Sequence, residues 1–220
     1  MWSRPEQGAR GPAAAYGRAE LTAAAVDLAD RRGLSAVSMR QVAGALGTGQ
    51  ASLYRHLSGR DDLLDLMTDA VTGEIALDVP LSGDPVADLL ALARRTRTVH
   101  LRHPWLCEVP PEPLRLGPRG LDFLEYALAA TAPAPLSGRA RMEVVALTNA
   151  LVSLFARTEL EAHQGRTDRR AAQAAYLASA AETGGHPLVA AAMAEADADA
   201  DVRALFERGM HRVLTGLLSR

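Results

Sequence analysis

Apolar residues recur at helical spacing along most of this 220-residue chain, and no segment makes a convincing strand. A first helix is predicted over Arg18–Arg32, with Leu21, Ala25, Leu28 and Ala29 inward and Gly33 at its end. Met39, Val42, Ala43 and Leu46 fall at i, i+3, i+4 and i+7 and predict a second. Its start is marked by Ser38, whose hydroxyl can accept from a free N–H of the first turn, and by Gln41, the other half of a capping box. Gly47-Thr48-Gly49 then offers the positive φ that a sharp turn between helices demands. A third helix is expected over residues 50–57, with Leu53 and Leu57 inward and Gln50, Ser52, Arg55 and His56 outward. The fourth starts at Arg60, where Asp61 and Asp62 suit the positive helix end, and carries Leu63, Leu64, Met67, Val71 and Ile75.

Residues 81–85, LSGDP, form a clear break, and the next helix runs to Arg102 before His103-Pro104 interrupts it. Five prolines between residues 103 and 118 forbid a long continuous helix there. Helical spacing returns over residues 120–130, 137–164, 168–182, 187–195 and 201–218, so the expected fold class is all-α.

Two short helices around a glycine turn suit a DNA groove. In a helix-turn-helix the N-terminal residues of the second helix meet base edges, and here those are Gln50 and Ser52. Gln can bond an adenine through two contacts, Ser either base type, and Arg the O6/N7 pair of guanine. Arg40, Arg55 and Arg60 can neutralise phosphates or read a guanine, and Tyr54 and His56 offer donors to phosphate oxygens. An ordinary helical hairpin with a solvated polar face would share the bare pattern.

Residues 21–64 carry more than that pattern: A-x2-L-A at 25–29, Gly33, S-M-R-Q-V-A at 38–43, Leu46-Gly47, L-Y-R-H-L at 53–57, Arg60 and Asp62-Leu63-Leu64. In order and spacing this run resembles the DNA-binding domain of the TetR family of transcriptional regulators. The resemblance implies an all-helical homodimer: a three-helix helix-turn-helix head, then a helical-bundle body for ligand binding and dimerisation. Such proteins are usually repressors released by a small molecule. By motif position, DNA contacts would fall on Arg40, Gln50, Ala51, Ser52, Tyr54, Arg55, His56 and Arg60. Thr48-Gly49 stands where many relatives have a bulkier pair, which predicts a looser entry to the recognition helix. H-P-W-L at 103–106, L-G-P at 116–118 and a Leu-rich helix after them resemble the C-terminal domain of the tetracycline-repressor-like branch. The expected organisation is a flexible arm over 1–17, the head with its connecting helix over 18–79, and the body over 80–220.

Charge sharpens this picture. The net charge is −2, yet residues 1–60 hold eight Arg (4, 10, 18, 31, 32, 40, 55 and 60) against Glu6, Glu20, Asp27 and Asp30, or +4. The remainder is then −6, and a local set of cations is what releases counterions from DNA. Arg4, Arg10 and Arg18 could form an arm for a neighbouring minor groove, although loose basic tails are common. All 24 basic residues are Arg, a usage that a GC-rich genome explains and that says nothing of phosphate binding. No apolar run reaches the about 18 residues of a membrane span, and no apolar signal core follows the N-terminal charges. With a single Cys107, a reducing cytoplasm is the expected location.

In the body, Val144, Val145, Thr148, Leu151, Val152 and Phe155 form one broad stripe, and Val202, Leu205, Phe206, Gly209, Met210, Val213 and Leu217 another. These helices are the expected dimer helices, although a monomer core would show the same period. A second recognition helix on a twofold axis supplies affinity that one short helix lacks, and calls for a pseudo-palindromic operator in double-stranded DNA. The candidate pocket for a small-molecule inducer comprises Val99, His100, His103, Trp105, Leu106, Phe123, Tyr126, Asn149, Val152 and Phe155. Core packing is the plain alternative for each aromatic. With nine aromatics in the chain, Trp105, Phe123, Tyr126 and Phe155 are the expected walls around a flat, largely apolar ligand.

His100, His103, Cys107 and Glu108 are spaced so that a metal site is imaginable, but Pro104 breaks the helix that would align them, and no metal is expected. Glu159 and His163 are read as an exposed i, i+4 pair. No GxSxG, phosphate-cradling loop or dinucleotide fingerprint occurs, so neither enzyme chemistry nor a cofactor is expected. The sequence reads as a ligand-responsive dimeric regulator, with a small-molecule sequestering module that lacks operator binding as the alternative.

Overall fold

The computed structural model describes residue 2 and residues 16–110, 116–163, 167–182, 185–194 and 202–219. The expected arm thus lies almost wholly outside the described residues. Ten α-helices and no strand occur among them.

The head is built from local signals. α1 (Arg18–Arg32) opens with the Glu20 carboxylate accepting the Gly17 N–H at 2.9 Å and ends at Gly33, whose φ of 78° suits glycine. A 3-10 turn, Leu34–Ala36, leads to α2 (Met39–Ala45), where Ser38 Oγ accepts the Gln41 N–H at 3.3 Å. α3 (Gln50–Leu53) follows, then α4 (Arg60–Thr72).

Two of these helices are shorter than their period predicts. α3 ends at Leu53, and the chain tightens into a turn through 54–56 with His56 N–H donating to Leu53 O at 2.9 Å. Burying Leu53, His56 and Leu57 from one turn of chain requires this tighter winding. α4 stops at Gly73, where a Cβ would sit 3.2 Å from Cγ of Arg119 on the body, so the chain leaves the helix under a close neighbour.

α5 (Pro85–Arg102) starts at the expected break, with Asp84 accepting from the N–H groups of Val86 (2.9 Å) and Ala87 (3.2 Å). A 3-10 segment, Pro104–Glu108, then α6 (Pro118–Thr131), α7 (Gly138–His163), α8 (Thr167–Glu182), α9 (Pro187–Ala194) and α10 (Val202–Leu218) complete the body.

Two apolar cores result. One gathers the inward faces of α1 to α4 with Leu92, Val99, Trp105, Phe123, Ala127 and Val145, so it crosses from head to body without a gap. The other joins Leu89, Leu90 and Ala93 of α5 to Val144 and Val152 of α7 and to Phe206, Met210, Leu214 and Leu218 of α10. The apolar stripes predicted on α7 and α10 mostly serve these cores within one chain. Leu205 and Val213 of the predicted α10 stripe stay exposed, together with Met142, Leu147 and Leu154 on α7.

Candidate nucleic-acid interface and sensor cavity

α2 closes in a Schellman arrangement: Thr48 N–H donates to Ala43 O at 3.0 Å, Gly47 N–H to Gly44 O at 3.1 Å, and Gly47 has φ 65°. The expected looseness at Thr48-Gly49 is therefore corrected. Both residues belong to a fixed turn, and Gly49 O accepts the Ser52 N–H at 2.9 Å to start α3.

This turn presents Gln50 and Ala51 outward, Ser52 half-buried, and Arg40, Tyr54 and Arg55 exposed. Gln50 Nε2 reaches Tyr54 Oη at 3.4 Å, and Arg55 Nη2 reaches Ser52 Oγ at 3.5 Å. Contacts this long are weak, so the side chains can exchange them for better partners on DNA.

Two predicted contacts are engaged within the head, one buried and one still exposed. His56 is 7% exposed and turned inward, its Nε2 without a hydrogen-bond partner, which corrects the outward placement expected for it. It follows Leu53 by three residues and precedes Leu57, so the tightened turn carries it into the core with them. Arg60 spends its guanidinium on the head itself: Nε donates to Val37 O and Nη2 to Leu34 O, both at 3.3 Å. Those carbonyls flank the entry to α2, so Arg60 acts as a strut.

Behind the head, α5, α6 and α7 leave a void of only about 10 Å³, lined by Leu89, Leu92, Ala93, Thr96, Phe123, Ala127, Val145, Thr148 and Asn149. It lies on the seam between the two cores and has room for about one water. Thr96 and Thr148 turn their hydroxyls onto Leu92 O and Val144 O of their own helices, which leaves the half-buried Asn149 amide as its polar side chain.

Of the ten pocket candidates, Phe123 and Asn149 line this void. Val99 and the half-buried Leu106 pack in the first core, Val152 is buried in the second, and Phe155 meets Phe206 edge-on at 5.4 Å between centroids. The Tyr126 hydroxyl donates to Val79 O at 2.8 Å and accepts from Arg95 Nη2 at 3.1 Å. His100 hydrogen-bonds through Nδ1 to Thr96 O at 3.0 Å and faces Ser153 Oγ through Nε2 at 3.1 Å. The carbonyl needs a donor, so Nδ1 carries the proton and Nε2 accepts from the serine. Burial lowers the His100 pKa, against the hydrogen bond to Thr96, and favours this neutral ring.

His103 and Trp105 leave the pocket altogether. Both side chains meet Asp30 of α1, and His103 also meets Glu74 just beyond α4. Their placement corrects the pocket assignment: Pro104 ends α5 and turns the chain toward the head. The imagined metal set is likewise dispersed, with Cys107 Sγ against Ser153 O at 3.8 Å, and no three-residue metal cluster occurs among the described residues. Burial raises the Cys107 thiol pKa despite Arg157. Glu159 pairs with Arg97 across the bundle; the His163 side chain, and with it the expected pairing, lies outside what is described.

Sequence reading missed three junction carboxylates, Asp30, Asp69 and Glu74. Burial raises the Asp69 pKa, although the N–H groups of Gly120 and Arg119 oppose it, the former at 2.9 Å. Burial also raises Glu74, but Arg102 and His103 outweigh it and hold this carboxyl below its usual range. The signal available in the sequence was an acid at or near the C-terminal end of each of two head helices, Asp30 and Glu74.

A family model described as bacterial regulatory proteins, tetR family, matches residues 21–67, and one described as tetracyclin repressor-like, C-terminal domain, matches residues 80–220. The HTH-type transcriptional repressor DrrR1 of Streptomyces coeruleorubidus is 34% identical over 225 residues, covering 99% of this chain and 83% of the relative. An HTH-type transcriptional regulator of Saccharopolyspora erythraea is 33% identical over 221 residues, covering 99% of this chain and 90% of its own. Among solved structures, apo ActR of Streptomyces coelicolor aligns with a TM-score of 0.78 at 28% identity, covering 91% of this chain and 96% of ActR. ActR in complex with actinorhodin aligns equally well, at 0.78, over 93% of this chain and 96% of ActR.

Proposed function

This chain belongs to the TetR family of bacterial regulatory proteins, and from that premise we propose that it is a homodimeric cytoplasmic repressor which a small, flat, largely apolar ligand releases from its operator. The observation that carries the reading is the recognition turn, held by the Schellman closure of α2, with Gln50, Ser52, Tyr54 and Arg55 presented beside the exposed Arg40. No helix among the described residues is long and apolar enough to cross a membrane.

Gln50 and Ser52 read base edges, while Arg40 and Arg55 neutralise phosphates. The exposed rows of α7 and α10 pair with their copies in the partner subunit and set the spacing of the two heads. Residues 18–79 act as the head unit and residues 80–220 as the sensor and dimer unit.

The ligand class rests on two observations. The void is apolar apart from Asn149, and the similar ActR has been solved with actinorhodin and with (S)-DNPA. A void of about 10 Å³ cannot hold such a molecule, so binding must part α5, α6 and α7. The ligand shifts the operator equilibrium only as far as it prefers the parted form.

Fluorescence anisotropy with DNA from the promoter beside its own gene tests the first half. Sequence-dependent, salt-sensitive binding is expected; its absence would leave a small-molecule binding module and refute the repressor. Addition of actinorhodin to the complex tests the ligand class, with loss of anisotropy expected and an unchanged signal against it.

A further inference from the structure

Two helices of the head end near acids. Asp30 lies in the last turn of α1, and Glu74 stands two residues beyond Thr72, the last of α4. Free carbonyls make a helix C-terminus partially negative, so neither acid is favoured by its own helix. Both turn to one imidazole.

His103 Nδ1 lies 2.8 Å from Asp30 Oδ1, and its Nε2 lies 3.1 and 3.2 Å from the two Glu74 oxygens. The Trp105 indole N–H donates to the same Asp30 oxygen at 2.8 Å, and Arg102 Nη1 donates to Glu74 Oε2 at 2.6 Å. The charged groups facing His103 are therefore Asp30 from α1, Glu74 from the end of α4 and Arg102 from α5, with Trp105 edge-on at 6.1 Å. A ring that gives an N–H to each carboxylate must carry both protons. The neutral ring has one N–H and would turn a lone pair on an acid. His103 is 5% exposed, so water offers little substitute. It also directly follows α5, whose Leu89, Leu92, Ala93 and Thr96 line the central void.

We propose that His103 is a positioning residue that fixes the head on the body, holding α1 and the end of α4 together when its ring carries both protons and freeing them when it carries one. It acts through Asp30 and Glu74. The same residue thus makes head orientation respond to pH and to the position of α5.

A nitroxide at Ala23→Cys, on the exposed side of α1, reports the distance between the two heads of the full-length homodimer by pulsed dipolar spectroscopy. A narrow distance distribution is expected at the acid end of the pH range over which the protein stays folded, broadening toward its alkaline end. In His103→Gln the distribution should be broad at both ends of that range. Asp30→Asn, which keeps an acceptor for Trp105 and removes the charge, should also be broad and insensitive to pH. A wild-type distribution that does not change with pH, or an Asp30→Asn distribution that narrows and broadens as the wild type does, would overturn the proposal.

Discussion

Gln50 and Arg60 stand ten positions apart on the same motif, yet their surroundings give them different duties. Gln50 has only a 3.4 Å contact to give up, so Gln50→Ala should relax preference for one base pair by about 1–3 kcal/mol and leave other positions alone. A binding series over single-base operator variants measures this. Arg60 already holds Leu34 O and Val37 O. Arg60→Ala should therefore lower the melting temperature and weaken every sequence alike, while Arg55→Ala flattens the salt dependence of log K by about 0.9 for a lost phosphate contact. A full loss of that slope in Arg60→Ala would return Arg60 to the phosphates.

Asp69 gives a pH prediction. Its folded pKa is raised above the unfolded value, mainly by burial, so its stabilising effect is present at low pH and lost as pH rises through the folded value. Asp69→Asn keeps the acceptor for Gly120 and should raise the melting temperature at neutral pH, with no gain below about pH 3. At this scale the exposure of Gln50 and Arg55 was legible from helical spacing. His56 was not, because a tightened turn changes which side chains share a face, and a 3.6-residue period does not register that change.

Elements were legible where their signals are local. Ser38 and Asp84 start α2 and α5 as expected, since a cap needs only its own N–H groups two or three residues on. Ends were less so: α4 stops under Arg119, a neighbour 46 positions away in the chain (119 less 73). The turn between α2 and α3 depends on Gly47 at φ 65°, where an L side chain costs about 1–2 kcal/mol. Gly47→Ala should lose about that much stability in thermal melts, and operator affinity should fall further than stability because the entry to α3 shifts. Equal affinity for wild type and variant would mean the Schellman closure does not set the recognition turn.

Across the whole molecule, fold class and helix order could be read from periodicity, whereas the partners of each face could not. The α7 stripe named from the sequence largely fills the cores of one chain, the α10 stripe is divided between core and the exposed Leu205 and Val213, and the exposed row has no cover among the described residues. Leu154, at 57% exposure, is the outermost of that row on α7. Leu147→Glu with Leu154→Glu should give a monomer by light scattering, with operator binding weakened toward the non-specific range of about 10⁻⁴ to 10⁻⁶ M. A dimer that persists would move the interface elsewhere. His103 and Trp105 escaped the sequence for a similar reason, since their carboxylate lies 73 and 75 positions away.

The first core bears on how this protein can be recombined. Because Leu92, Val99, Trp105, Phe123 and Val145 pack into the same apolar mass as α1 to α4, the border near residue 80 is a seam in the chain but not in the packing. A chimera cut there, with another regulator's head on this body, would inherit mismatched volumes along that mass and an unmatched Trp105. The exchange becomes workable when the graft carries the whole junction, so that DNA preference is transplanted together with the residues that seat it.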